Sequence, residues 1–154
     1  EVIHVAGPKN YKRCKVESEI ILDKNLQPYY HLRETLEELE LKYAYSAADL
    51  VISRAGAGSI FEIASFGKAS MLIPLPSAAS NHQFKNAYQY SKSGAAIVIE
   101  QENLTPNFFM GQIEFIVSNQ HKKEQMEKSA LEFAKPNAAE IIAKDILDYL
   151  TNVF

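Results

Sequence analysis

The chain has 154 residues and 47% hydrophobic content, which is enough for one compact domain with a substantial core. Its charged fraction of 23% and net charge of −3 provide no basic surface for nucleic acid, so we expect no nucleic-acid partner. Cys14 is the only cysteine, which excludes an internal disulfide and favours a cytoplasmic setting.

The first third of the sequence predicts an alternation of strands and helices. An apolar run at residues 2–6, closed by a Gly-Pro pair, predicts a strand, and a helical segment follows over about residues 10–17. Two weaker strand candidates lie at residues 19–22 and 29–32, of which at least one is expected to form. Apolar residues at helical spacing then predict an acidic amphipathic helix over about residues 34–48.

The middle of the sequence repeats a pattern of strand, loop and helix. Strands are predicted at residues 50–53, 69–74 and 96–100, with helices at residues 59–66 and 82–93. Gly67 is placed to end the first of these helices. Strands separated by helices predict an α/β fold with a Rossmann-like, doubly wound parallel sheet. In such sheets ligands bind at the carboxyl ends of the strands.

Three helices are predicted at the end of the chain, over residues 106–117, 122–134 and 137–150. Thr105 is suited to cap the first of them, with Pro106 in its first position. The last helix carries an apolar stripe that is expected to pack against the rest of the domain. The stripe consists of Ile141, Ile142, Ile146, Leu147 and Leu150.

The turn after the strand at residues 50–53 combines an arginine with two glycines, in the order Arg54-Ala55-Gly56-Ala57-Gly58. Gly56 and Gly58 let the backbone approach a ligand and direct free N–H groups at an anion such as a diphosphate. A purely structural glycine turn has the same pattern. Arg54 either binds phosphate bidentately or holds the turn through backbone carbonyls, and the local sequence leaves both interpretations open.

Ser59 and Glu62 have the spacing of a capping box, in which Glu62 would fold back onto the helix start. Alternatively, the Glu62 carboxylate accepts two hydrogen bonds from the vicinal hydroxyls of a ribose. The local pattern alone favours the capping role.

A second polar cluster follows the strand at residues 69–74 and comprises Ser80, Asn81, His82, Gln83 and Asn86. His82 and Asn86 are four residues apart, so they share a helix face, with Gln83 beside them. Neutral donors and acceptors of this kind suit the hydroxyls of a sugar. The alternative, which the local pattern alone favours, is that Asn81 caps the helix and His82 is a surface or locally bonded histidine.

No metal site is predicted. His4, His31, His82 and His121 are scattered, and no Cys/His metal spacing is present. The sequence also lacks G-x-S-x-G, Walker A and G-x-G-x-x-G elements.

The run ADLVISRAGAGSIFE, residues 48–62, resembles the donor-site segment of MurG-type glycosyltransferases of family 28. The resemblance continues through residues 81–87 (NHQFKNA), 94–96 and 101–105. It spans about residues 2–150, loosely over residues 15–41. It implies that this chain is the C-terminal, donor-binding half of a GT-B fold.

In that family the enzyme transfers N-acetylglucosamine from UDP-N-acetylglucosamine to the undecaprenyl-diphosphate-muramoyl-pentapeptide precursor of peptidoglycan, with inversion and with no cofactor or required metal. The resemblance implies that Glu62 binds the ribose, that Gly58 and Ser59 meet the diphosphate, and that Gln83, with His82, binds the sugar. The full predicted substrate-binding set is Arg54, Gly56, Ala57, Gly58, Ser59, Glu62, His82, Gln83 and Asn86. No catalytic residue is assigned.

The resemblance also sets expectations for organisation. Residues 1–154 are expected to form a single donor-binding domain without the family's N-terminal acceptor domain and first glycine-rich strand-loop. The chain starts at Glu1 rather than at a methionine, inside an apolar run, which suggests an upstream part. The fragment is therefore expected to be inactive alone. The full-length protein would meet the lipid-linked acceptor as a peripheral protein at the cytoplasmic face of the cell membrane.

Two segments depart from the family pattern. The loop at residues 76–80 lacks the charged residues common before the His-Gln pair, and no uracil-contacting segment is assigned within residues 36–41. The alternative functions are the donor subunit of a two-component lipid-linked N-acetylglucosamine transferase and a UDP-sugar 2-epimerase-like enzyme.

Overall fold

The structure is a computed structural model that describes the backbone of residues 1–153 and the side chains of residues 1–151. The chain divides into two compact units, one formed by Glu1–Ala47 and a second that begins at Ala48. Each unit contains its own parallel sheet, so the predicted α/β class with parallel strands is confirmed. None of the described helices is both long and apolar enough to cross a membrane.

The first unit contains two parallel strands and two helices. In chain order they are β1 (Val2–Val5), α1 (Tyr11–Ile21), a 3₁₀ turn (Gln27–Tyr29), β2 (Tyr30–Arg33) and α2 (Glu38–Ala47). β1 pairs with β2 from Val2 opposite Tyr30 to Val5 opposite Arg33. Of the two weaker strand candidates, only the second forms. Residues 19–22 do not form a strand because no glycine or proline stops α1 before Ile21.

The second unit alternates strands with helices and ends in three helices. In chain order they are β3 (Val51–Ser53), α3 (Ala57–Ser65), β4 (Ser70–Leu72), α4 (His82–Ser91), β5 (Ala96–Val98), α5 (Pro106–Ser118), α6 (Gln120–Phe133) and α7 (Ala138–Val153). The strands are parallel in the order β3-β4-β5, and their carboxyl ends, Ser53, Leu72 and Val98, lie in register. The loops that begin after these three residues therefore start at the same edge of the sheet.

The core of the second unit surrounds β4. All three residues of this central strand are buried, and Met71 packs in a cluster with Ala69, Ile99, Ile116 and Met126. Strands buried on both faces are typical of parallel sheets covered by helices. α3 adds Ile60, Ile63 and Ala64 to the buried surface, which fixes the face that this helix turns away from solvent.

Two helix ends confirm their sequence predictions. At the end of α3, Gly67 has a φ of 59°, and its N–H donates to the Ala64 carbonyl at 3.0 Å. The Lys68 N–H donates to the Ile63 carbonyl at 3.2 Å, which completes a Schellman motif. At the start of α5, the Thr105 hydroxyl accepts from the Phe108 N–H, with Pro106 in the first helical position.

The predicted packing of the last helix is wrong. The residues of its apolar stripe are 45% to 62% exposed in α7. Amphipathic spacing identified the helix and its apolar face correctly, but this spacing contains no information about which surface covers that face.

Candidate functional site

The first turn of α3 follows β3 after a short loop. Its N-cap is Gly56, an extended residue with φ −67° and ψ 142°, which has no side chain to accept a hydrogen bond from the first turn. The Ile60 N–H donates to the Gly56 carbonyl at 3.0 Å, which is the first hydrogen bond of the helix. The N–H groups of Ala57, Gly58 and Ser59 precede that bond, so they are available at the positive end of the helix dipole.

The capping-box interpretation of Ser59 and Glu62 is wrong. Because Gly56 is the cap, Ser59 is the third residue of α3 and Glu62 is the sixth, so neither lies where a capping box needs it. Helical spacing puts Gly58 and Glu62 on one face, opposite the buried Ile60 and Ile63. Glu62 is exposed on that face.

Gly58 is not required by the fold of the domain. Its φ is not positive, and a Cβ atom built on it would have no neighbour within 4 Å. Neither backbone strain nor packing therefore demands glycine at this position. The open space lies over the first turn of α3, one turn before Glu62, and is available to a ligand.

Arg54 and Asn86 fix the loop that leads into α3. Arg54 Nη1 donates to the Ile73 carbonyl at 3.1 Å and to Gln101 Oε1 at 2.9 Å. Asn86 Nδ2 donates to the Ala55 carbonyl at 3.2 Å. Of the two interpretations left open for Arg54, the contact with a backbone carbonyl is present, and both of its hydrogen bonds use Nη1.

The second cluster is bonded to its own loop. Gln83 Oε1 accepts from the Leu75 N–H at 3.0 Å, and His82 Nδ1 donates to the Ala79 carbonyl at 2.7 Å, as the local alternative for this histidine proposed. Asn81 does not cap α4 with its side chain and is left-handed, with φ 53°. The expectation that Asn81 is a side-chain cap is wrong because this backbone conformation is not the extended one that a cap adopts.

Of the predicted residues on α4, only Asn86 is therefore hydrogen-bonded to the loop before α3. Asn86 links α4 to the loop before α3, whereas His82 and Gln83 stabilise the loop between β4 and α4. The third strand end adds Gln101, which lies just beyond β5 and contacts Arg54. Gln101 was not predicted as a site residue from the sequence, although the same rule about carboxyl strand ends applies to β5.

A hydroxyl–carboxylate pair lies beside this third junction. The Tyr88 hydroxyl on α4 donates to Glu100 Oε1, and this hydrogen bond raises the pKa of Tyr88 above its ordinary value of 10.0. Glu100 directly precedes Gln101. Its carboxylate is thus engaged by α4, while the neutral amide of Gln101 contacts Arg54.

Comparison with known families identifies the architecture around this site. The sequence profile described as the glycosyltransferase family 28 C-terminal domain matches residues 1–144, which is most of the chain. The chain belongs to this family.

Two relatives of this family 28 domain have the same name. A protein of Vesicomyosocius okutanii is 45% identical over 111 residues, covering 72% of this chain and 31% of the relative. A protein of Halothermothrix orenii is 35% identical over 149 residues, covering 96% of this chain and 40% of the relative. Both are named UDP-N-acetylglucosamine–N-acetylmuramyl-(pentapeptide) pyrophosphoryl-undecaprenol N-acetylglucosamine transferase.

A solved structure agrees with these relatives. The crystal structure of MurG from Acinetobacter baumannii superposes with a TM-score of 0.76 and 28% identity, covering 95% of this chain and 40% of that one. The family 28 domain thus spans about a third to two fifths of the relatives that it matches.

The side chains of this family 28 domain form no cluster of metal ligands within the part of the chain that the structure describes. Within residues 1–151, no group of three or more His, Cys, Asp or Glu side chains could hold a metal ion. The candidate site is instead built from backbone N–H groups, amides, one imidazole, one guanidinium and one carboxylate.

Proposed function

We propose that this chain binds UDP-N-acetylglucosamine as the donor-binding domain of an inverting N-acetylglucosaminyltransferase. The observation that carries the proposal is the first turn of α3, where uncapped N–H groups, an open Gly58 and an exposed Glu62 share one face. The names of the relatives support the same donor.

The diphosphate of the donor would lie at the start of α3. Three backbone N–H groups, from Ala57 to Ser59, are available there, and the helix dipole adds partial positive charge. Gly58 lets the phosphate oxygens approach because it has no side chain to intervene. During transfer, UDP leaves as an anion, and the same donors would stabilise its growing charge.

Glu62 would bind the ribose. It follows Gly58 by one helical turn on the exposed face, and a carboxylate accepts hydrogen bonds from two vicinal hydroxyls. The separation of about one turn matches a ligand that extends along the helix from diphosphate to ribose.

The sugar would meet the amide and imidazole groups of α4. Gln83 uses its Oε1 on Leu75 and Asn86 uses its Nδ2 on Ala55, so the partner atoms, a donor on Gln83 and an acceptor on Asn86, remain for sugar hydroxyls. His82 donates from Nδ1, so its Nε2 is an acceptor in the neutral ring. The hydrogen bonds to loop backbone atoms hold these three side chains in fixed orientations.

The chain matches about a third to two fifths of the length of these relatives. We propose that residues 1–154 act as one donor-binding domain, and that the lipid-linked acceptor and the general base bind and act within the remaining length that the relatives possess. The full-length enzyme would then work as a peripheral protein at the cytoplasmic face of the membrane. The isolated chain is expected to bind the donor without turnover, and transfer by this chain alone would contradict the division.

Calorimetric titration tests the donor site. The wild type is expected to bind UDP-N-acetylglucosamine and UDP, and Glu62→Ala to weaken both by about tenfold or more, as expected for the loss of hydrogen bonds to a charged group. Glu114→Ala, which removes another exposed helical carboxylate on α5, is the matched control and should bind like the wild type.

A ligand change tests the ribose assignment independently. The wild type should bind UDP more tightly than 2′-deoxy-UDP, and Glu62→Ala should lose most of that preference. Equal preference in the two proteins would show that Glu62 does not bind the ribose hydroxyls.

A further inference from the structure

We propose that Gln101 is a positioning residue that holds the Arg54 guanidinium toward the donor diphosphate. The proposal rests on the proposed function, because it assigns Arg54 to the phosphates of that donor. It adds the third strand end, after β5, to a site that otherwise comprises the ends of β3 and β4.

Two acceptors from different loops hold the Arg54 guanidinium. Its Nη1 donates to both the Ile73 carbonyl and Gln101 Oε1, so the guanidinium is held from the loops after β4 and β5. Since the ends of β3, β4 and β5 lie in register, the Arg54 side chain runs along the carboxyl edge of the sheet. Two acceptors on one nitrogen restrict rotation of the planar group.

The two hydrogen bonds through Nη1 do not use the edge of the guanidinium formed by Nε and Nη2. Within the described structure, Nε and Nη2 of Arg54 donate to no protein acceptor. These two nitrogens form the edge of a guanidinium that binds phosphate bidentately. Arg54 lies two residues before Gly56, the cap of α3, so this edge belongs to the same loop as the N–H groups proposed for the diphosphate.

The side-chain group of Gln101 that holds Arg54 is a neutral amide. An amide oxygen accepts from Arg54 without cancelling its positive charge, whereas a carboxylate at the same place would neutralise it. The neighbouring carboxylate, Glu100, is bonded to Tyr88 on α4. Gln101 is itself exposed, so its contact with Arg54 is not a by-product of core packing.

Two substitutions of Gln101 distinguish the loss of the hydrogen bond to Arg54 from the neutralisation of the Arg54 charge. Gln101→Leu removes the acceptor and releases Arg54, while Gln101→Glu keeps an acceptor but pairs the guanidinium with a negative charge. Gln125→Leu is the matched control because Gln125 is exposed on α6 and bonded only to His121 of the same helix. The three variants are made in the full 154-residue chain, compared with the wild type and checked for folding by circular dichroism.

The readout is the ratio of affinities for UDP and uridine, measured by calorimetry. Both Gln101 variants are expected to lose about tenfold in UDP affinity, the worth of a hydrogen bond to a charged group, and to keep uridine affinity. The control should match the wild type for both ligands. If Gln101→Leu fails to fold, Gln101→Glu alone decides the result.

The other outcomes overturn specific claims. Wild-type binding of UDP with an unchanged UDP-to-uridine ratio in both variants would refute the role of Gln101 and leave the proposed function standing. Equal losses for UDP and uridine would also refute it, because they indicate general damage to the pocket. A wild type that binds neither UDP-N-acetylglucosamine nor UDP would refute the proposed function and this inference together.

Discussion

Gly58 is an exposed helical residue where glycine is normally unfavourable. Gly58→Ala is expected to leave the free energy of unfolding unchanged or raise it by up to about 1 kcal/mol, since the new Cβ meets open space. The same methyl group would obstruct the diphosphate, so UDP affinity should fall. Urea unfolding and calorimetry measure the two effects, and a fall in stability with normal UDP binding would contradict the prediction.

Gly67 is the matched control at the other end of α3. Its φ is 59°, and a Cβ atom there would lie 2.7 Å from Leu131 Cγ. Gly67→Ala should therefore lower the free energy of unfolding by more than about 1 kcal/mol, through strain and steric conflict. The folded fraction should still bind UDP normally.

The ion pair between Asp49 and Lys123 predicts a pH-dependent stability. The two side chains are 2.8 Å apart, and the hydrogen bond from Lys123 lowers the pKa of Asp49 below its ordinary value of 3.8. A lowered folded-state pKa stabilises the fold above pH 3.8, and this stabilisation is lost as the pH falls through the folded-state pKa.

Asp49→Asn should accordingly be less stable than the wild type at neutral pH, by less than about 1 kcal/mol because the carboxylate is largely exposed. The difference should shrink as the pH falls below 3.8, where the wild-type carboxyl group also becomes neutral. Urea unfolding over a pH series measures it. A difference that is constant with pH would rule out the ion pair as its cause.

At the scale of single residues, the sequence predicted the members of the site better than their contacts. The turn from Arg54 to Gly58 was recognised from glycines after a strand, which is a local signal. The partners of Arg54, by contrast, lie 19 and 47 residues away and depend on strand order. Only the assembled sheet brings Gln101 to Arg54, which explains why Gln101 was missed.

The uncapped start of α3 predicts the effect of adding a cap. Gly56 has an extended backbone that any residue can adopt, and a Cβ atom there meets only Ser59 Oγ at 4.0 Å. In Gly56→Asp the new carboxylate would accept from the N–H groups of the first turn and occupy the place of a phosphate.

Gly56→Asp should therefore retain or slightly raise stability, by a few tenths of a kcal/mol or more, while UDP affinity falls and uridine affinity persists. Gly56→Ala supplies the control, because it adds a Cβ without an acceptor. Normal UDP binding by Gly56→Asp would indicate that the helix start does not contact the diphosphate.

Helices and strands were predicted well wherever a breaker marked their ends. Gly67 and the Thr105-Pro106 pair ended and began helices at the expected places. Where such residues were missing or ambiguous, the predicted start of the helix differed from the observed start. α3 begins before Ser59 because the extended Gly56 serves as cap, and α2 begins at Glu38 rather than near residue 34. Spacing alone did not show where either helix starts.

At the scale of the whole molecule, burial is distributed unequally. No residue of Glu1–Ala47 is buried, whereas the buried side chains within residues 1–151 all lie in the second unit and include the three residues of β4. Local opening is easiest where few apolar contacts must be broken. In hydrogen exchange, amides of β1 and β2 should therefore exchange faster than those of β4, and equal protection of these strands would contradict the prediction.

The α/β class followed from the alternation of strands and helices, and the structure confirmed it. The division of the strands between two sheets was not predicted, because apolar runs indicate strands but not their hydrogen-bonded neighbours. The same limit explains α7. Its apolar face was identified from spacing, but whether a surface covers that face is a tertiary property.

The first turn of α3 also has a consequence for resistance to inhibitors. Its proposed phosphate donors are backbone N–H groups, which a single substitution cannot delete except by proline. An inhibitor that relied on these groups would leave a resistant strain mainly one route, which is added bulk at Gly56 or Gly58. That bulk would also obstruct the diphosphate of the proposed UDP-N-acetylglucosamine donor, so escape from the inhibitor would weaken binding of that donor.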